Sequence, residues 1–302
     1  VDRCLGVLPA GGGTRRAEKC FPEDLTRDSI DALQSPAVGA GGLVAWVESH
    51  AVANHIPPDH SAIRVGSLIV TDTGRIIRTF PYVAASGLIH TTGTHLTWLS
   101  PDTLAYLGRE VVYTAPCFGC KIDSLPFGGD IVLLDVTVAA PTPILVPGTT
   151  GTNSLAVGTD GRTVYYTFPE SSQVYRQTVD NGAVSILHDF GIGRVVRDPQ
   201  VAGNRLIAVV DGRYRHRDVP PFPPIQEDLG GVLVQVDLTT GIETPLPAQG
   251  NNLFKRPALS ASGQQIVAEG YSFTLNTVLD ATGPPVTDTL LSPIADLWLV
   301  EE

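Results

Sequence analysis

The stretch "SPAVGAGGLVAWVES" (35–49) is matched far down the chain by "RPALSASGQQIVAEG" (256–270). Each runs Pro-Ala, one apolar residue, a turn of small residues ending in Gly, then an apolar run that reaches an acid (Glu48, Glu269). Such a pattern, once repeated, constrains the fold more than any composition does. A strand–turn–strand unit cannot bury its apolar face alone, so copies must stack. The pattern returns as "LTWLSPDTLAY" (96–106), "LAVGTDGRTVYYTFPE" (155–170) and "PQVAGNRLIAVVDG" (199–212). Gly161, Gly203 and Gly263 hold the same place in three of these turns, just ahead of an aliphatic or β-branched pair or near-pair. The backbone there must visit φ > 0, which glycine does without steric cost.

A third, alternating strand follows each unit: "GSLIVTDTG" (66–74), "GDIVLLDVT" (129–137), "SQVYRQTVDNG" (172–182), "GVLVQVDLTTG" (231–241) and "ADLWLVEE" (295–302). A fourth, more polar one closes most of them: "RIIRTFPYV", "TPILVPG", "AVSILHDFG" and "IETPLPAQG". Four antiparallel strands per unit, repeated at the roughly 40–45 residue spacing seen from Gly161 to Gly203, predict an all-β fold, a β-propeller of four-stranded blades. Five units are countable, or six if residues 1–30 hold a divergent one. The fifth has no fourth strand of its own, and an open ring leaves an unpaired edge. Residues 3–9, within "RCLGVLPAGG", have the apolar content to supply it. The expected organisation is an N-terminal segment 1–30 with a ring-closing strand and a propeller over 31–302, a single domain overall. The one candidate helix is "EDLTRDSIDALQS" (23–35), with Leu25, Ile30 and Leu33 as its apolar positions; it reads equally as irregular chain leading into the first blade.

Four long insertions fall between second and third strands: "SHAVANHIPPDHSAIRV", "APCFGCKIDSLPFGG", "DGRYRHRDVPPFPPIQEDLGG" and "SFTLNTVLDATGPPVTDTLLSPIA". Equivalent connections in a propeller emerge on one face, and loops on a rigid scaffold are where binding resides. The third insertion sets Arg213, Arg215, His216 and Arg217 beside Tyr214 and Phe222, residue types that grip an anion or a carboxylate-bearing partner. The first holds His50, His55, Asp59 and His60, which are metal-ligand types at spacings that match no ligand motif, so no metal is expected. The sequence shows no nucleophile elbow, phosphate loop, dinucleotide fingerprint or H-E-x-x-H.

"WLSPDTLAY", "PALSASGQQIVAEGY" and "ADLWLVEE" resemble the TolB-like, or WD40-like, propeller repeat of bacterial envelope proteins over most of residues 31–302. Only Ser100-Pro101-Asp102 keeps the turn core of that repeat literally, with Thr103 in place of Gly. The resemblance implies an interaction platform, an exported protein (secreted, periplasmic or at the cell surface) that binds protein, including further copies of itself, without a cofactor. The competing expectation is a metal-dependent propeller enzyme, a lactonase or glycan-cleaving protein, with acids and histidines around the central funnel.

Composition narrows the partners. A net charge of −11 repels a phosphate backbone, which excludes nucleic acid. No run of eighteen apolar residues predicts a membrane-spanning helix. The absence of Met makes Val1 read as a processed end. Four cysteines in an exported chain predict two disulfides, Cys4–Cys20 and Cys117–Cys120, each closing a short local loop; a redox pair at "CFGC" and a zinc site are the alternatives.

Overall fold

The computed structural model describes residues 3–7, 16–21, 29–39, 42–52, 60–67, 76–81, 95–108, 112–113, 122–124, 129–217, 225–246, 252–260, 262–278, 286–291 and 296–300. They belong to two compact units, Val1–Thr152 and Asn153–Glu302. Among the described residues every long element is a strand and none is an α-helix.

The first unit opens with β1 (Arg3–Val7) paired to β2 (Arg16–Phe21), so the partner of the strand expected to close the ring is its own hairpin mate. A four-stranded antiparallel meander follows: β3 (Ser29–Val38), β4 (Leu43–Val52), β5 (His60–Ser67) and β6 (Ile76–Pro81). Two expectations are corrected here. The candidate helix at 23–35 is strand from Ser29 onward, because Ile30 and Leu33 belong to a long strand paired with β4. The third strand is His60–Ser67, earlier than the expected 66–74, so residues read as a loop are hairpin. Next come β7 (Thr97–Ser100), β8 (Thr103–Gly108), a short pair β9 (Val112–Tyr113) and β10 (Ile122–Ser124), then β11 (Asp130–Asp135) and β12 (Ile144–Leu145). β7, β8, β11 and β12 form the unit's second four-stranded sheet.

The second unit holds a four-stranded meander, β13 (Ser154–Val157), β14 (Thr163–Thr167), β15 (Gln173–Thr178) and β16 (Val184–Asp189). Then β17 (Val196–Ala202), β18 (Arg205–Arg217), β19 (Ile225–Asp237) and β20 (Glu243–Pro245) pair in sequence. Finally β21 (Asn252–Leu259) pairs with β22 (Ile266–Val278), which also takes β23 (Val286–Leu291) and β24 (Asp296–Val300). The turn glycines behave as their position requires: Gly161, Gly203 and Gly263 have φ of 66, 59 and 74°. The acid that recurs in the third strands is a turn device. Asp135 and Asp237 each accept the backbone N–H of the threonine two residues on, at 2.8 Å.

The likeness of the two quoted stretches has a structural cause. In β3, β17 and β21 the ladder skips two residues against one on the partner, at Ser35-Pro36, Asp198-Pro199 and Arg256-Pro257. Proline has no N–H to give a ladder, so inside a paired strand it sits at a bulge. Asp198 and Arg256 take φ of 49 and 47° to make that bulge.

Strands buried on both faces explain the unbroken apolar runs. In "LIAVV", Leu206, Ala208 and Val210 pack with Val174, Phe190, Val196 and Val234. Ile207 and Val209, facing the other way, pack with Leu233, Phe254 and Ile266. In the first unit Ala45 and Val47 join Leu104, Tyr106, Val132 and Leu134. There Trp98 donates its indole N–H to the Ala37 carbonyl at 3.1 Å and lies against Gly39.

The turn before β14 carries a pH-dependent contribution. Burial pushes the Asp160 carboxyl up, but the Thr163 hydroxyl, the Arg162 and Thr163 amides and the Arg176 charge pull it below the usual range. Its folded pKa is therefore the lower one, so the stability it adds is present above the unfolded value of about 3.9 and is lost as pH falls through the folded value. Urea melts at pH 7 and pH 3 should show the gap between wild type and Asp160→Asn narrowing in acid; a constant gap would contradict the assignment. A Cβ at Gly39 would stand 2.8 Å from the Trp98 ring. Gly39→Val should cost about 1–3 kcal/mol in a denaturant titration, the range for overpacking.

Candidate binding face

Of the insertions expected as loops, three run on as paired β-ribbon past the blade. β4 and β5 stay in register to His50 opposite His60. β18 and β19 continue from Arg213 opposite Gly230 to Arg217 opposite Ile225. β22 continues with β23 from Phe273 opposite Leu291 to Val278 opposite Val286. The fourth carries the β9–β10 pair. β-branched and alternating residues at the stems ("TLNTV", "VTDTLL") favour strand over loop. Each connection joins a second strand to a third, so each leaves its own sheet at the same end as the start of the first strand.

The residues expected to bind a partner are thus strand. Arg215 and Arg217 share one ribbon face with Glu227 and Ile225, while Tyr214 and His216 share the other with Asp228 and Gln226. The register divides the basic residues between two faces and sets acids opposite Tyr214 and Arg215. Phe222 lies outside the described residues, as do His55, Asp59, Cys117 and Cys120. Cys4 stands directly opposite Cys20.

At the foot of the β18–β19 ribbon the chain is stripped of side chains. A Cβ at Gly212 would stand 2.9 Å from the Arg197 guanidinium, and one at Gly231 would stand 2.7 Å from the Val210 carbonyl oxygen. Arg197 is buried at 4% exposure. Two ladder irregularities fall here, between Val210 and Arg213 and between Arg213 and Tyr214. Beside them Arg194 Nε donates to Asp211 Oδ1 at 2.8 Å.

The bulges at this end bond to one another. The Asp198 N–H donates to the Ser154 hydroxyl at 3.0 Å, and Asp198 Oδ2 accepts from the Arg256 N–H at 3.2 Å. Ser154 in turn bonds Thr167, whose hydroxyl donates to Asn153 Oδ1 at 2.6 Å. Ser154 and Thr167 are fully buried and Asp198 nearly so. Arg256 also reaches Glu269 Oε1 at 3.1 Å on the exposed side. The sequence offers none of this set as a site; its one signal is the recurring X-Pro in the first strands.

No protein-family model matches the chain. No curated protein matches it either. Solved structures do. TolB from Acinetobacter baumannii aligns over 99% of this chain and 63% of its own, with a TM-score of 0.55 and 16% identity, so this chain spans less than two thirds of that protein's length. A prolyl endopeptidase structure aligns over 97% of this chain and 40% of its own, at a TM-score of 0.49 and 16% identity. An oligogalacturonate lyase in complex with manganese aligns over 99% of this chain and 71% of its own, at 0.48 and 12%. At these identities the likeness is one of fold, and only the first score is high enough to argue from.

Asp198→Ala should remove the hydrogen bond that this nearly buried carboxylate accepts from the Arg256 N–H, leaving the backbone bond to Ser154 in place. The expected loss is about 1.5–3 kcal/mol in an equilibrium urea melt, the worth of bonds to a charged group. Asp198→Asn keeps an acceptor oxygen and should lose less. Equal melts for all three proteins would show that the Asp198 carboxylate does not link the β17 and β21 bulges.

Proposed function

For a chain with a TolB-like propeller fold, we propose a non-catalytic role as an exported protein-interaction module. The partner docks on the blade ends from which the ribbons leave. One observation carries this reading: three of the second-to-third connections are extended as paired ribbon, where plain propeller repeats need only a tight turn. A paired ribbon presents side chains on an ordered backbone, so little entropy is lost when a partner docks. The envelope-repeat resemblance supports export, and so does the Cys4–Cys20 register, since directly opposed residues stand within disulfide range. Self-association is the specific form we propose, through the ribbon faces that mix Arg215 with Glu227 and are thereby complementary to a second copy.

Light scattering of the native chain over a concentration series tests it. The expected result is an oligomer that dissociates when the β18–β19 ribbon is shortened to a two-residue turn, with the circular dichroism of the blades kept. A monomer at every concentration would overturn self-association. Hydrolytic or lyase turnover by the chain would overturn the non-catalytic reading. Mass spectrometry without reductant should find Cys4 and Cys20 joined in one peptide pair; alkylation of either thiol in the unreduced protein would remove the disulfide and with it one support for export.

A further inference from the structure

The first sheet of the second unit stops at β16, which pairs with β15 on one side and with no other strand among the described residues. The direction of its backbone groups follows from two bonds. Thr178 donates its N–H to the Ala183 carbonyl, and Phe190 donates its own to the Ser172 carbonyl, so residues 183 and 190 bond toward the sheet. Along an antiparallel strand, residues that bond to the neighbour alternate with residues whose N–H and C=O point away. The register sets Gln177 opposite Val184, Arg176 opposite Ser185 and Tyr175 opposite Ile186. Ser185 therefore bonds inward, and Val184 and Ile186 aim their backbone groups out of the sheet. Their side chains share one face and are 51 and 53% exposed. Other edges are blunted. β12 is two residues between Pro143 and Pro147, β20 is three residues ending in Pro245, and β6 carries Arg78 and ends in Pro81. Short length, proline and charge are the devices that keep an edge from pairing with another chain. β16 runs for six residues without Pro, Lys or Arg, and its one irregularity, at Leu187, lies past Ile186.

We propose that β16 pairs antiparallel with β16 of a second copy of this chain, about a two-fold axis at Ser185. In that register Val184 lies opposite Ile186 of the second copy, and Ile186 lies opposite its Val184. Both are outward-bonding positions, so each pair exchanges N–H and C=O bonds, and a branched aliphatic side chain meets another on one face. Ser185 meets its own copy on the other face, hydroxyl to hydroxyl. The occupant is a second copy because the strand matches itself: apolar meets apolar, hydroxyl meets hydroxyl, and "AVSIL" (183–187) brings no charge to the pairing. In a chain of net charge −11, an acid-free edge is where two copies meet with least repulsion. A two-fold contact of this kind closes as a dimer. It uses a fourth strand, whereas the ribbons grow from second and third strands, so it stands apart from the ribbon contact.

Sedimentation equilibrium of the full chain, and of the chain with its β18–β19 ribbon shortened, separates the two contacts. The shortened chain should stop at a dimer in exchange with monomer below about 1 mM. Ile186→Pro deletes an outward N–H and leaves the ladder to β15 intact; the two-fold deletes it twice, so the dissociation constant should rise at least about tenfold. Ile186→Lys should do the same, and it replaces the proline variant if that one loses its circular dichroism. Amide exchange read by NMR should slow at Val184 and Ile186 as the dimer forms and stay constant at Ser185. A shortened chain that is monomeric up to about 1 mM would overturn the edge pairing and leave the ribbon contact standing. A full chain that goes no further than this dimer would do the reverse. A dimer indifferent to both Ile186 variants, or Val184 and Ile186 amides whose exchange ignores concentration, would also overturn the edge pairing.

Discussion

Backbone ladders join strands within each group of four, and between the last two groups they touch at Gly231 opposite Phe254; the first strands β17 and β21 need another link. In the second unit that task falls partly to one residue. Asp198 turns its N–H out of the ladder toward Ser154 of the preceding sheet and its carboxylate toward the Arg256 N–H in β21, the far part of its own eight-stranded sheet. Both bonds exist because the X-Pro bulge frees an amide that a regular strand would have spent on its neighbour. The left-handed φ at Asp198 and Arg256 is a local cost of about 1–3 kcal/mol each, and these bonds offset it. A nearly buried carboxylate left without the Arg256 N–H would be more costly still.

The apolar core repeats the same logic with less precision. β18 sends alternate residues into two different clusters, so one strand contributes to both of its flanking interfaces. Such a strand tolerates no polar residue over its blade portion, and "LIAVV" has none. Arg205, at the turn end of the same strand, reaches both Gln235 on its own sheet and the Gly263 carbonyl in the next turn. His188 does similar work at the outer edge, 2.9 Å from Glu243. Directional contacts at the two ends of the strands thus set the angle between sheets that the apolar middle fills.

Where a strand outgrows its blade, its role changes. Past Gly212 and Gly230-Gly231 the two strands β18 and β19 pair with each other alone among the described residues, and the sequence turns from "LIAVV" to "RYRHR" at that point. The glycines mark the crossing because there the backbone runs against Arg197 on one side and against Val210 on the other. The ribbon was read as a loop from its charge and its prolines. Charge is a poor guide to a strand that pairs with one neighbour along its length, since the ladder needs backbone partners and not apolar side chains. The same loop expectation covered His50 and His60, which the structure places in β4 and β5.

Taken alone, the amino-acid sequence determined the repeat, its strand–turn–strand grammar and the all-β class, because alternation and turn glycines act within a few residues of one another. It also located the second-to-third connections as the variable part. What it did not determine is which residues meet. The register of Cys4 opposite Cys20 and the bonds from Asp198 to Ser154 and Arg256 depend on strand alignment and on packing between distant strands. Register shifts by a residue at each bulge, and a one-residue slip moves every side chain to the opposite face. Only the folded chain, in which burial on both faces selects one alignment, decides that.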